Sequence, residues 1–95
     1  MNGITFNEFK WELMDEVKNR LGALKWELYL ANDNGGEECN CLVVEHRNSG
    51  WYMKFFLEEM YEEYSNGEYT IGEDADSIAA CLTATAEENG IIKAA

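Results

Sequence analysis

The chain has 95 residues, 46% of them hydrophobic and 13% aromatic, and a formal net charge of -12. That length fits one domain, residues 1–95, with a modest core, and the apolar content excludes a disordered chain. Seven Lys and Arg stand against nineteen Asp and Glu. That balance argues against direct binding to DNA or RNA phosphates and against an anionic membrane surface, and it favours basic protein partners.

The opening MNGITFNEFK lacks the apolar run of a secretory signal, and no stretch approaches a membrane span. Three Cys without an evident pairing pattern suit a reducing compartment, so a cytoplasmic location is expected.

Residues 4–21 read as a helix. Thr5 and Glu8 have the spacing of a capping box, and Ile4 and Phe9 that of a hydrophobic staple. Phe6, Phe9, Leu13, Val17 and Leu21 recur at helical spacing, with Met14 beside them, and Gly22 stops the helix. Trp11 falls off that stripe, as an exposed residue or a second contact surface would. In residues 24–31 the period changes to two: Trp26, Leu28 and Leu30 alternate with Lys25, Glu27 and Tyr29. Asn32-Asp33-Asn34-Gly35-Gly36 reads as a turn. Residues 41–47 alternate again, with Leu42, Val44 and His46 on one side, so the two runs should pair as an antiparallel hairpin ending at Asn48-Ser49-Gly50.

Met53, Phe56, Leu57, Met60, Tyr61 and Tyr64 then follow an amphipathic helical pattern, broken by Ser65-Asn66-Gly67. Thr70 and Glu73 form a second capping box. The helix after it is expected to bury Ile71, Ala75, Ile78, Ala79, Leu82 and Ala86, with Gly90 at its C-cap and residues 92–95 as a loose tail. The order is helix-strand-strand-helix-helix, an α+β domain in which helices cover a two-stranded antiparallel hairpin.

Motifs for chemistry are weak. The one histidine, His46, shares its strand face with Leu42 and Val44, the setting of a hydrogen-bonded strand residue rather than a general base. Cys39, Cys41, His46 and Cys81 are zinc-ligand types at poor spacing, and Cys81 reads as a small core or near-core residue. The acid-rich loop after Asn32 lacks the EF-hand register, and Gly35-Gly36 lacks the Lys-Ser/Thr of a phosphate loop. No catalytic residue, metal or cofactor is expected.

The acids are the strongest signal. Between Phe55 and Ile92 there is no Lys or Arg, yet the span holds ten acids: Glu58, Glu59, Glu62, Glu63, Glu68, Glu73, Asp74, Asp76, Glu87 and Glu88. Two carboxylates per helical turn give about one charge per 2.7 Å, against one per ~1.7 Å along duplex DNA. The plain alternative is a solvated face that confers solubility. Trp51, Tyr52 and Phe55 fall in the acidic sector if the helix is continuous through them, which would make them contact anchors. If residues 50–55 are extended, they are core.

The stretch Phe55-Phe56-Leu57-Glu58-Glu59-Met60-Tyr61-Glu62-Glu63-Tyr64-Ser65-Asn66-Gly67 resembles a bacterial family of small domains of uncharacterised activity. Its mark is a Tyr-Glu-x-Tyr-x-Asn-Gly segment before a short capped helix. The likeness implies the order of elements and no activity. By size and charge alone the chain is also similar to acidic phage and mobile-element inhibitors of the anti-CRISPR or anti-restriction type. Two functions are expected from this. The first is a non-enzymatic inhibitor that occupies a basic nucleic-acid-binding surface of a bacterial CRISPR or restriction effector. Glu58, Glu59, Glu62, Glu63, Glu68, Glu73, Asp74 and Asp76 would stand in for phosphates, with Trp51, Tyr52 and Phe55 as anchors. The second is an accessory interaction domain, homodimeric through exposed aromatics, whose charge serves solubility.

Overall fold

Helix α1, Phe6–Leu21, begins on the expected capping box: the Thr5 hydroxyl accepts from the Glu8 amide and the Glu8 carboxylate from the Thr5 amide. A computed structural model describes residues 3–33 and 35–93. In it α1 buries Phe9, Leu13, Met14 and Val17, the stripe that helical spacing assigns to the core. Gly22 closes it with a positive φ.

Strands β1 (Trp26–Ala31) and β2 (Cys41–His46) pair antiparallel, Trp26 opposite His46 and Ala31 opposite Cys41. The chain then departs from the expected order. Residues Tyr52–Phe56 form a third strand, β3, antiparallel to β2, so the sheet has three strands in the order β1-β2-β3. The fold is α+β with the order helix-strand-strand-strand-helix-helix, not a two-stranded hairpin followed at once by helices.

The physical reason is that residues 51–57 fit both periods. Met53, Phe56 and Leu57 suit a helix, while Trp51, Met53 and Phe55 alternate with Tyr52, Lys54 and Phe56 as a strand does. A hairpin alone is marginal, and a third strand supplies the missing backbone partners. The turn between β2 and β3 is tied by His46, whose Nδ1 lies 2.9 Å from the Ser49 hydroxyl, and by Gly50, which takes the positive φ. His46 itself is buried, its ring edge-on to Trp26.

Helix α2 is therefore short, Glu58–Ser65, with Leu57 at its N-cap and no side-chain cap. It ends in a Schellman motif, where Glu68 donates to the Glu63 carbonyl and Gly67 to that of Tyr64. Helix α3, Ile71–Glu88, starts on the expected Thr70–Glu73 capping box and ends the same way: Ile91 donates to the Ala86 carbonyl and Gly90 to that of Glu87.

One core cluster joins Phe9, Leu13, Val17, Trp26, Leu42, Val44, Leu57, Ala75, Ile78, Leu82 and Ala86. Trp51, Met53 and Phe55 pack against it from the inner sheet face. Ile91 and Ile92 pack against it too, the latter the first residue of the stretch expected to be a loose tail. Ala94 and Ala95 of that tail, and Asn34 of the expected turn, lie outside the described residues. Cys81, expected in or near the core, is exposed on α3, whose small residues Ala80 and Ala84 also face solvent there. Ile71 and Ala79 are half-buried rather than fully so.

Candidate functional site

The acids that look alike in sequence separate into three groups once folded. Glu58, Glu59, Glu62 and Glu63 line α2, and Glu68 lies in the turn after it. Glu63 is half-buried and the other four are exposed. No cation among the described residues pairs with any of the five. Glu58 and Glu59 sit in the first turn, where the helix dipole favours negative charge. Glu62 and Glu63 are at the opposite end, where it does not. Eight residues make a helix about 12 Å long. The row of carboxylates is thus about two turns long.

The second group is occupied by the fold. The Glu73 carboxylate accepts from the Thr70 amide at 2.8 Å. Asp76 accepts from Arg20 Nε at 2.6 Å, and the same guanidinium holds Glu16, tying the end of α1 to the start of α3. Those two carboxylates raise the pKa of Arg20, first by the Asp76 hydrogen bond.

Asp74 stands alone. It is buried, and its Oδ2 has no hydrogen-bond partner. Burial raises its carboxyl pKa, and the neighbouring Glu63 and Glu73 push it further the same way. Asp74 is thus a charge held at a cost inside the junction of α2 and α3 rather than a displayed anion.

The three aromatics also divide. Trp51 and Phe55 face inward, Trp51 edge-on to Trp26 at 6.3 Å. Tyr52 points the other way and is exposed. Across the outer sheet face it has Glu45 as its register partner, with Tyr29 and Phe56 as further exposed rings. The Glu45 carboxylate accepts weakly from the Tyr29 hydroxyl at 3.4 Å. Lys54 on this face is paired with Asp33 at 3.0 Å. The same strand therefore sends Trp51 and Phe55 to the core and Tyr52 to solvent, as its period of two requires.

Other groups with chemical potential are held structurally. Cys41 is buried and its thiol pKa is raised by that burial. Among the described residues no three of His, Cys, Asp and Glu lie together as a metal would need, and no helix is long and apolar enough to cross a membrane.

Sequence periodicity gave no warning of Lys10, which lies on α1 yet is only 2% exposed. Its Nζ donates to the Cys39 carbonyl at 2.6 Å and lies 4.5 Å from the Phe6 ring centroid. It borders a cleft of about 570 Å³ between α1, β1 and the loop before β2, lined by Trp11, Met14, Leu28, Leu30, Glu37 and Glu38 among others. The off-stripe position of Trp11 was the one sequence signal for this cleft. A second hollow of about 500 Å³ lies near Trp26, His46 and Ile92, bordered by Lys25 and Lys93.

Compared with known proteins, the chain matches no family model, no curated protein and no solved structure.

Proposed function

We propose that this protein is a non-enzymatic acidic inhibitor that binds a basic nucleic-acid-binding surface of a bacterial effector, of the CRISPR or restriction type. The observation that supports this reading is the row of Glu58, Glu59, Glu62, Glu63 and Glu68. These carboxylates have neither a cation partner nor a capping role among the described residues, and α2 places no fully buried residue in the core. A helix whose polar face is uniformly acidic, with like charges four residues apart, is slightly destabilised by them. A binding role accounts for that cost, because such a row attracts a cationic channel and speeds encounter with it. Tyr52 is the anchor this reading retains, while Trp51 and Phe55 serve the core. Glu73, Asp74 and Asp76 contribute to the field at most indirectly, since capping, burial and Arg20 engage them.

The test is capture of partners from bacterial lysate on the immobilised protein at low and high salt, with DNA and RNA as competitors. The proposal expects a basic partner that is released by salt and by nucleic acid. It also expects the double substitution Glu62→Lys with Glu63→Lys to lose that partner while keeping its melting temperature. Capture indifferent to salt and to both competitors would overturn it.

A second reading rests on the outer sheet face, where Tyr29, Tyr52 and Phe56 are all exposed. An interaction domain that self-associates through this face would sediment as a dimer, and Tyr52→Ala with Phe56→Ala would return it to a monomer. The Glu62→Lys, Glu63→Lys protein would leave that dimer unchanged.

A further inference from the structure

The hydrogen bonds around β2 fix which way every strand residue points its backbone. His46 donates to the Trp51 carbonyl at 2.7 Å, so the even-numbered residues of β2 bond to β3. Just before the strand Asn40 is shared, its carbonyl accepting from the Leu57 amide and its own amide donating to the Ala31 carbonyl, each at 3.0 Å. Arg47 donates to the Lys25 carbonyl at 2.9 Å, so the odd-numbered residues bond to β1. In an antiparallel ladder such pairing alternates. On β1, therefore, Lys25, Glu27, Tyr29 and Ala31 are the bonded partners. Leu28 and Leu30 turn their N–H and C=O groups away from the sheet. β1 is an edge strand, and no hydrogen bond from a described residue reaches those four groups.

The cleft described above runs along this same edge. Leu28, Tyr29 and Leu30 form one wall, Asn7, Lys10, Trp11 and Met14 of α1 the other, and Glu37, Glu38 and Cys39 the end. Edge strands are usually shortened, charged or covered. This one instead carries Leu28 and Leu30, with an exposed Trp11 beside it. The combination of open backbone groups, an apolar floor and a flanking helix is the arrangement that adds an extended peptide as a further strand.

Charge selects the occupant. Glu37 and Glu38 are exposed at the cleft, while the one cation lining it, Lys10, is only 2% exposed. Lys10 donates to the Cys39 carbonyl and reaches Glu38 at no closer than 4.0 Å, so it offsets that carboxylate only in part and leaves Glu37 without a cation among the described residues. A second copy docked edge to edge would bring together two chains that each carry a net charge of -12, which repels them. We propose that the β1 edge and the cleft beside it bind an extended basic peptide segment of a partner protein by strand addition. The peptide exchanges backbone hydrogen bonds with Leu28 and Leu30. Alternate apolar side chains lie against Trp11 and Met14. The intervening Lys or Arg side chains lie by Glu37, Glu38 and the Tyr29 ring. This site uses different residues from the acidic row of α2, so either can stand without the other.

The test uses the intact protein and an end-capped hexapeptide alternating Lys with Val. Amide resonances of Leu28 and Leu30 and the indole resonance of Trp11 should shift on titration, and hydrogen exchange at the two leucine amides should slow about tenfold. Two control peptides should fail: one alternating Glu with Val, and the Lys–Val peptide N-methylated at every residue. Trp11→Ala, at an exposed position, should keep the native circular dichroism and weaken the peptide about tenfold. Glu62→Lys with Glu63→Lys should bind it as the native protein does, even if partner capture through α2 is lost. The proposal is overturned by no shift at millimolar peptide, or by equal binding of either control peptide. It is also overturned if the Leu28 and Leu30 amides are already protected in a free protein that sediments as a dimer, or if binding is lost only in the α2 variant.

Discussion

Helices α1 and α3 are built by one recipe and α2 by another. Both long helices open on a Thr-x-x-Glu capping box and bury a continuous stripe: Phe9, Leu13 and Val17 on α1, and Ala75, Ile78 and Leu82 on α3. Arg20 then bolts the end of one to the start of the other through Asp76. Helix α2 shares only the Asn-Gly ending of α3. It has no side-chain cap and no buried residue, and its contact with α1 is a group of rings, half-buried Phe6 and buried Phe9 against half-buried Tyr61 and Tyr64. A hydrogen bond from the Tyr61 hydroxyl to the Ile4 carbonyl completes it. The difference separates residues whose identity the fold dictates from residues whose identity it leaves open. The glutamates of α2 belong to the second kind, which is why their uniform sign carries information.

That contrast can be broken most forcefully in the core of α3. Leu82→Ala should lower the stability measured by urea denaturation by about 2–5 kcal/mol, because Leu82 is wholly buried and its neighbours close only partly over the gap. A loss as small as a surface substitution gives would mean that α3 is not the structural helix described.

Next in size is Asp74→Ala, which should raise stability at neutral pH by about 1 kcal/mol by removing a buried carboxylate oxygen with no partner. The sign follows from its raised pKa. The folded protein holds this proton more tightly than the unfolded chain, so Asp74 costs stability when ionised, and that cost disappears on protonation. The advantage of the alanine variant should therefore shrink as pH falls through the raised folded-state value toward that of an ordinary Asp. An advantage constant with pH would contradict this account.

Thr70→Ala should cost about 1 kcal/mol through loss of the cap, measurable as a lower melting temperature. The smallest effect belongs to Glu62→Lys with Glu63→Lys. Two repulsive pairs become Glu-to-Lys pairs in the favourable direction, with cations in the last turn, for a gain of a few tenths of a kcal/mol. A large loss of stability there would place those glutamates among the residues the fold requires and would end the comparison.

Local rules were legible in the sequence wherever one rule acted alone. Both capping boxes, the Gly22 and Gly90 stops, the α1 stripe and the pairing of β1 with β2 could be read directly, because short-range hydrogen bonding and burial set them, although the central strand β2 buries Cys41 and Val43 as well as Leu42 and Val44. Residues 51–57 were not legible, because six apolar side chains in seven positions satisfy two periods at once. Strand pairing to β2, a long-range term, decides between them. Phe56 illustrates the trap: it completes the helical pattern yet lies 54% exposed on the outer sheet face. Of the candidate site, the glutamate row was readable, but the division of its neighbours into capping, paired and buried acids depends on Arg20 and on the α2–α3 junction. The open edge of β1 could not be read at all, because which backbone groups lie free depends on the register with β2.

The docking of α1 on α3 also bears on how the chain reaches its fold. The first helix and the last pack directly against each other, although the whole sheet and α2 lie between them in the sequence. During synthesis α1 emerges with Phe9, Leu13 and Val17 bare, and no later element can cover them fully until α3 has left the ribosome. Such distant pairing slows folding and leaves an apolar stripe open to chaperones or to other nascent chains in the meantime. The strong charge of the segment between residues 58 and 76 is made before α3 is complete, and it would keep those unfinished chains apart.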